Sequence, residues 1–142
     1  MSLTLAEANR VVDASLAKAR ELEIKISVSV CDASGRLIAH QRMDGAFAEA
    51  PWASIGKAIG AATAGRSDDA SLALLARQFR TNIVMAEGAP IIMGPGGLPI
   101  TRSGDLEGAI GVTGASDNEQ NAECAKAGVE AFSQTLMASG SR

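Results

Sequence analysis

Between residues 4 and 22 the apolar positions Leu5, Ala8, Val12, Leu16 and Ala19 fall three or four apart. That spacing lines one face of an α-helix. Glu7, Arg10, Asp13 and Lys18 take the polar side. Thr4-Leu5-Ala6-Glu7 fits a capping box, in which a threonine hydroxyl and a glutamate satisfy each other's free amides, so the helix is predicted to begin at Thr4. The period then drops to two. Ile24, Ile26, Val28 and Val30 alternate with Lys25, Ser27, Ser29 and Cys31, the pattern of a half-buried strand. Asp32-Ala33-Ser34-Gly35 reads as a turn with a residue free to adopt positive φ, and Arg36 to Arg42 returns as the second strand.

Residues 50–64 revert to a helical pattern, with Pro51 in the first turn. Gly56, Gly60 and Ala64 recur every fourth residue and cut a groove, not a ridge, into that helix. Mid-helix glycine costs about 1 kcal/mol relative to alanine, so the groove implies a close neighbour. A third helix is predicted from Ser67, with Asp68 and Asp69 in its first turn, Arg77 and Arg80 near its end and Leu72, Leu75 and Phe79 as its apolar stripe. The run "GAPIIMGPGGLPI" suggests a short apolar strand, a Gly/Pro turn and the start of another strand. "SGD" at 103–105 is a second hairpin turn, and "LEGAIGVTG" is a strand with few side chains on one side. Ser116-Asp117-Asn118-Glu119 repeats the capping-box pattern ahead of a last helix with Ala125, Val129, Phe132 and Leu136 inside, and the tail "ASGSR" is expected to fray. The order α-ββ-αα-βββ-α, with strands joined by hairpins, predicts one α+β domain over residues 1–142: a five-stranded antiparallel sheet between helices, an α/β/α sandwich.

Alternation divides the sheet into two unlike faces. Ile26, Val28, Val30, Ile110 and Val112 make one oily; Ser27, Ser29, Cys31, Gly111 and Thr113 make the other small and mildly polar. The first and last helices have the large residues the oily face needs, and the grooved helix 50–64 suits the small face. Where they meet, the small residues either let helix and sheet approach closely or leave a cleft, rimmed by Arg42, Met43, Asp44, Lys57 and the Gly96-Gly97 turn. Lys57 stands on an otherwise almost uncharged helix and needs water or a carboxylate partner, for which Asp44 and Glu49 are the candidates, because a lone buried ammonium is expensive.

Composition narrows the partners. Of 142 residues 46% are hydrophobic and 20% charged, which excludes a disordered chain, and the net charge of −3 with scattered Lys and Arg gives no basis for a nucleic-acid partner. Aromatic residues are only 3%, with one Trp and no Tyr, so the core relies on many small contacts. No apolar run approaches the ~20 residues of a membrane span. The first residues lack the basic start and apolar run of a secretory leader, so a cytoplasmic location is expected. Cys31 and Cys124 form no metal-binding pair and read as small buried hydrophobes.

The chemistry is equally constrained. His40 is the single histidine, so neither a Ser-His-Asp triad on a nucleophile elbow nor a structural zinc site is supported. "GPGGLP" lacks the Lys-Ser/Thr of a P-loop. "GVTGASDN" could bind an anion at a helix start, but Asp117 and Glu119 already occupy that turn.

"VCDASGRLIAHQRMDGA", "ASIGKAIGAATAG", "GGLPI" and "GDLEGAIGVTGASDNEQNAECAKAG", in that order and over residues 4 to about 137, resemble the GlcG/HbpS-like family, also called the haem-degrading domain family. The resemblance implies a profilin-like fold, homo-oligomers and a small-molecule ligand: haem or a related tetrapyrrole, bound by a carrier or sensor. His40 is then the candidate axial ligand to haem iron, with Arg42, Met43, Lys57, Gly96 and Gly97 around the cofactor. The alternative is a small catabolic enzyme or accessory subunit acting on an organic acid, in which Arg42 clamps a carboxylate and Asp44 or Lys57 moves a proton. Relatives commonly carry aspartate where this chain has Asn121, which removes a negative charge from the last helix.

Overall fold

The computed structural model describes residues 2–64, 78 and 81–140. Helix α1, Leu5–Glu21, starts where the capping box places it: the Thr4 hydroxyl accepts from the Glu7 amide, and the Glu7 carboxylate accepts from the Thr4 amide at 2.9 Å. Thr4→Ala is expected to cost about 1 kcal/mol, read as a lower urea midpoint at unchanged slope. Strands β1, Ser27–Asp32, and β2, Leu37–Arg42, form the first hairpin, turning at Gly35 with φ 81°. Helix α2 spans Ala50–Ala64. Strands β3, Gly97–Arg102, and β4, Asp105–Thr113, form the second hairpin through Ser103 and Gly104, both at positive φ. Helix α3, Asn118–Gly140, closes the fold. Asp117, not Ser116, begins this helix, its carboxylate accepting from the Glu119 amide at 2.8 Å. The helix also runs further than expected, through the first residues of the tail assigned to fraying.

The sheet is antiparallel in the order β2-β1-β4-β3. It has four strands among the described residues, not five. The predicted short strand at Ile91–Met93 is irregular backbone: its Ile92 amide donates to the Gly56 carbonyl of α2, at 3.0 Å, and not to a neighbouring strand. The predicted helix from Ser67, with its stripe Leu72, Leu75 and Phe79, lies outside the described residues, although 81–86 are helical.

The two faces separate as the alternation requires. α1 and α3 cover the oily face, where Val11, Val12, Leu16, Ala125 and Phe132 pack on Val28, Val30, Ile110 and Val112. α2 covers the small face with a thin layer of Ala58 and Ala62 over Cys31 and Ala109. Both cysteines are free and buried, and burial pushes their thiols up, Cys31 to about 12 and Cys124 to about 11. No described helix is long and apolar enough to cross a membrane.

The groove on α2 does not receive the sheet. A β-carbon on Gly56 would lie 2.8 Å from Ile92 Cγ1, and one on Gly60 would lie 2.6 Å from the Ile92 carbonyl oxygen. The glycines therefore seat the irregular 91–93 segment, and a different face of α2 meets the sheet.

Candidate functional site

Strand register places His40, Ser29, Gly111 and Gly97 side by side across all four strands. This row crosses the small face directly beneath α2. In the middle the helix lies on the sheet with nothing between them, since a β-carbon on Gly111 would be 2.0 Å from the Ser54 carbonyl oxygen and 2.5 Å from the Ala58 nitrogen. There the close-approach alternative holds and no cleft runs through. What remains open is the row's two ends, at outer strands β2 and β3.

At the β2 end stands His40. Its Nδ1 lies 2.7 Å from Ser29 Oγ, which lies 2.8 Å from Ser54 Oγ, whose hydroxyl donates to the Pro51 carbonyl at 2.8 Å. Each hydroxyl has one proton, and a carbonyl can only accept. Ser54 therefore donates to Pro51, Ser29 donates to Ser54, and His40 must donate from Nδ1 to Ser29. The chain of bonds fixes the tautomer: Nε2 keeps its lone pair, and it has no hydrogen-bond partner among the described residues. Burial lowers the His40 pKa and favours the neutral ring.

At the β3 end stands Lys57, only 8% exposed. It projects past Gly96, where a β-carbon would lie 3.4 Å from Nζ, and donates to the Val112 carbonyl at 3.1 Å. Lys57, Ala61, Ala64, Ile92, Met93, Gly94, Gly97 and Pro99 line a cavity of about 270 Å³. Neither Asp44 nor Glu49 reaches the amine, which makes no ion pair among the described residues; desolvation lowers its pKa.

Arg42, Met43 and Asp44 lie elsewhere. They line a second cavity of about 330 Å³ with Leu16, Arg20, Lys25 and Gln41. The Arg42 guanidinium donates to the Ala46 carbonyl of its own loop at 2.7 Å. Met43 packs against the oily core, and its sulfur lies 3.4 Å from the Ile26 amide nitrogen. The single rim drawn from the sequence through Arg42, Met43, Asp44, Lys57, Gly96 and Gly97 is thus two separate places, with only Lys57, Gly96 and Gly97 together. Asn121, buried, folds its amide onto Ala115, accepting from the backbone nitrogen at 3.0 Å.

Ser29 and Ser54 were not singled out from the sequence, although they orient the histidine. Their one legible signal was that Ser29 alternates onto the face opposite the valines. The pairing with Ser54 is 25 residues away in the chain and depends on how closely α2 docks.

Comparison with known proteins agrees with this architecture. Klebsiella pneumoniae protein ORFY is 30% identical and superposes with a TM-score of 0.74, over 92% of this chain and 90% of that one. A double mutant of Streptomyces reticuli HbpS is 25% identical, with a TM-score of 0.71 over 92% and 86%. The complex of PduOC with haem is 21% identical and shares the fold, with a TM-score of 0.72 over 92% and 95%. The family model described as "Haem degrading protein HbpS-like" matches residues 3–130, and the chain belongs to that family.

Proposed function

We propose that this protein binds haem or a related tetrapyrrole, with His40 Nε2 as axial ligand to the iron. The observation that carries the reading is the bond chain from His40 through Ser29 and Ser54 to the Pro51 carbonyl. Metal-ligating histidines characteristically donate their other ring N–H to a fixed partner, which sets both tautomer and ring orientation. The family description and the haem complex of a protein with the same fold support it.

The residues fit a cofactor held at the surface or between two copies of the chain, because neither described cavity, at about 270 and 330 Å³, encloses a porphyrin. The β2 end offers apolar surface for such a mode. Phe47 precedes the first turn of α2 and Trp52 lies within it; both are exposed, as is Leu37 on β2. Bound haem would supply an iron centre that takes the imidazole as a ligand. The chain's own contribution is to hold a neutral, oriented ring and to keep its proton on Nδ1.

Titration with hemin is expected to give a saturable Soret shift. His40→Ala abolishes the shift while circular dichroism shows the fold intact. Ser54→Ala, which breaks the chain of bonds without touching the ligand atom, weakens binding about 10–100-fold. Binding falls in acid, as pH drops through the lowered His40 pKa and the lone pair is protonated. An unchanged Soret band in His40→Ala would remove this histidine from the site.

A further inference from the structure

We infer that the Lys57 cavity is a separate binding site for a small apolar monocarboxylate, whose carboxylate pairs with the lysine ammonium. An ammonium has three N–H donors. Lys57 directs one to the Val112 carbonyl, and no described side chain supplies an acceptor to the others. The other deeply buried charge among the described residues, Glu107, is bound to Arg102 at 2.7 Å. The nearby Asn121 is neutral and spends its amide on Ala115. A buried cation with no counter-charge among the described residues is costly to keep, and a bound carboxylate would offset it.

The cavity describes the rest of the ligand. Its walls beyond the lysine are Ala61, Ala64, Ile92, Met93 and Pro99, with backbone at Gly94 and Gly97. Among the described residues no second ionisable group lines it, which matches a ligand with one charge and an apolar body. At about 270 Å³ the space falls below the roughly 300 Å³ at which drug-sized sites begin, so the body is a few carbons long. Two glycines fix how closely its walls approach. A side chain at Gly97 would strike the Lys57 carbonyl, 2.7 Å away, and one at Gly60 would strike the Ile92 carbonyl and displace the wall.

The test uses butyrate against butyramide, equal in shape and different in charge. The full chain is expected to gain thermal stability with rising butyrate and none with butyramide at the same concentrations. Lys57→Met removes the buried charge while keeping the stem's volume; it raises the basal Tm and abolishes the response to butyrate. Ala61→Leu keeps the lysine, fills the cavity and abolishes the response as well. His40→Ala responds like the parent chain, so this site and the haem reading fail independently. Butyrate stabilisation weakens in alkali as the ammonium loses its proton. Equal stabilisation by butyramide, or an undiminished butyrate response in Lys57→Met, overturns the proposal.

Discussion

Gly111→Ala is expected to cost about 3 kcal/mol, and Gly111→Val to prevent α2 from docking on the sheet. The added β-carbon would lie 2.0 Å from the Ser54 carbonyl oxygen, 2.5 Å from the Ala58 nitrogen and 3.0 Å from Lys57 Cβ. Two of these are helix backbone atoms, which cannot rotate aside as a side-chain end can. Relief requires lifting the helix, and that opens the thin layer of Ala58 and Ala62 over Cys31 and Ala109. It also parts Ser54 from Ser29 and moves Lys57 away from the Val112 carbonyl, so both ends of the small face lose their geometry with one methyl group. Chemical denaturation measures the loss, and Gly94→Ala is the control: nothing lies within 4 Å of its β-carbon, so the change stays within about 0.5 kcal/mol. A Gly111→Ala variant as stable as the parent would show that helix and sheet are not in contact there.

Arg102→Ala should be comparably damaging, at about 3 kcal/mol, through charge and not volume. The guanidinium bonds Glu107 through Nε at 2.7 Å and both Glu7 oxygens through Nη2 at 2.9 and 3.1 Å, and it lies 5.3 Å from the centre of the Phe132 ring. One side chain thus ties α1, the second hairpin and α3 together. Its removal strips the ion pair from the buried Glu107 and half the bonding from Glu7. The pH dependence gives a second readout. Burial by itself would raise the Glu7 carboxyl, but the Thr4 amide and the Arg102 guanidinium outweigh it and hold it below the usual carboxylate value. A depressed acid contributes stability that is complete above its unfolded pKa and disappears as pH falls through the folded one. The parent chain should therefore lose stability in acid over that window, and Arg102→Ala should lose less of it there, having less to lose. Urea midpoints measured from neutral into acid check both the offset and the slope.

Short-range pattern made most of the fold legible. The helices at 4–22 and 50–64, both hairpins, the start of the last helix and the contrast between the two sheet faces follow from periods of 3.6 and 2 and from local turn chemistry, which neighbouring residues settle among themselves. The extra strand failed for the same reason. Ile91, Ile92 and Met93 have strand-like apolarity, but Gly56 and Gly60 offer Ile92 a closer seat and its amide a carbonyl. Nothing near residue 92 in the chain announces a partner more than thirty residues away.

For the site, the sequence by itself determined the chemical inventory: one histidine, one lysine on an almost uncharged helix, and an oily face set against a small, mildly polar one. It could not determine which of these meet. Register across the sheet and the depth to which α2 sinks onto Gly111 separate the two ends of the small face, give His40 its serines and leave Lys57 without an acid among the described residues. These are distances of a few tenths of an ångström between segments far apart in the chain, set by close packing of backbone on backbone, and only the folded arrangement contains them.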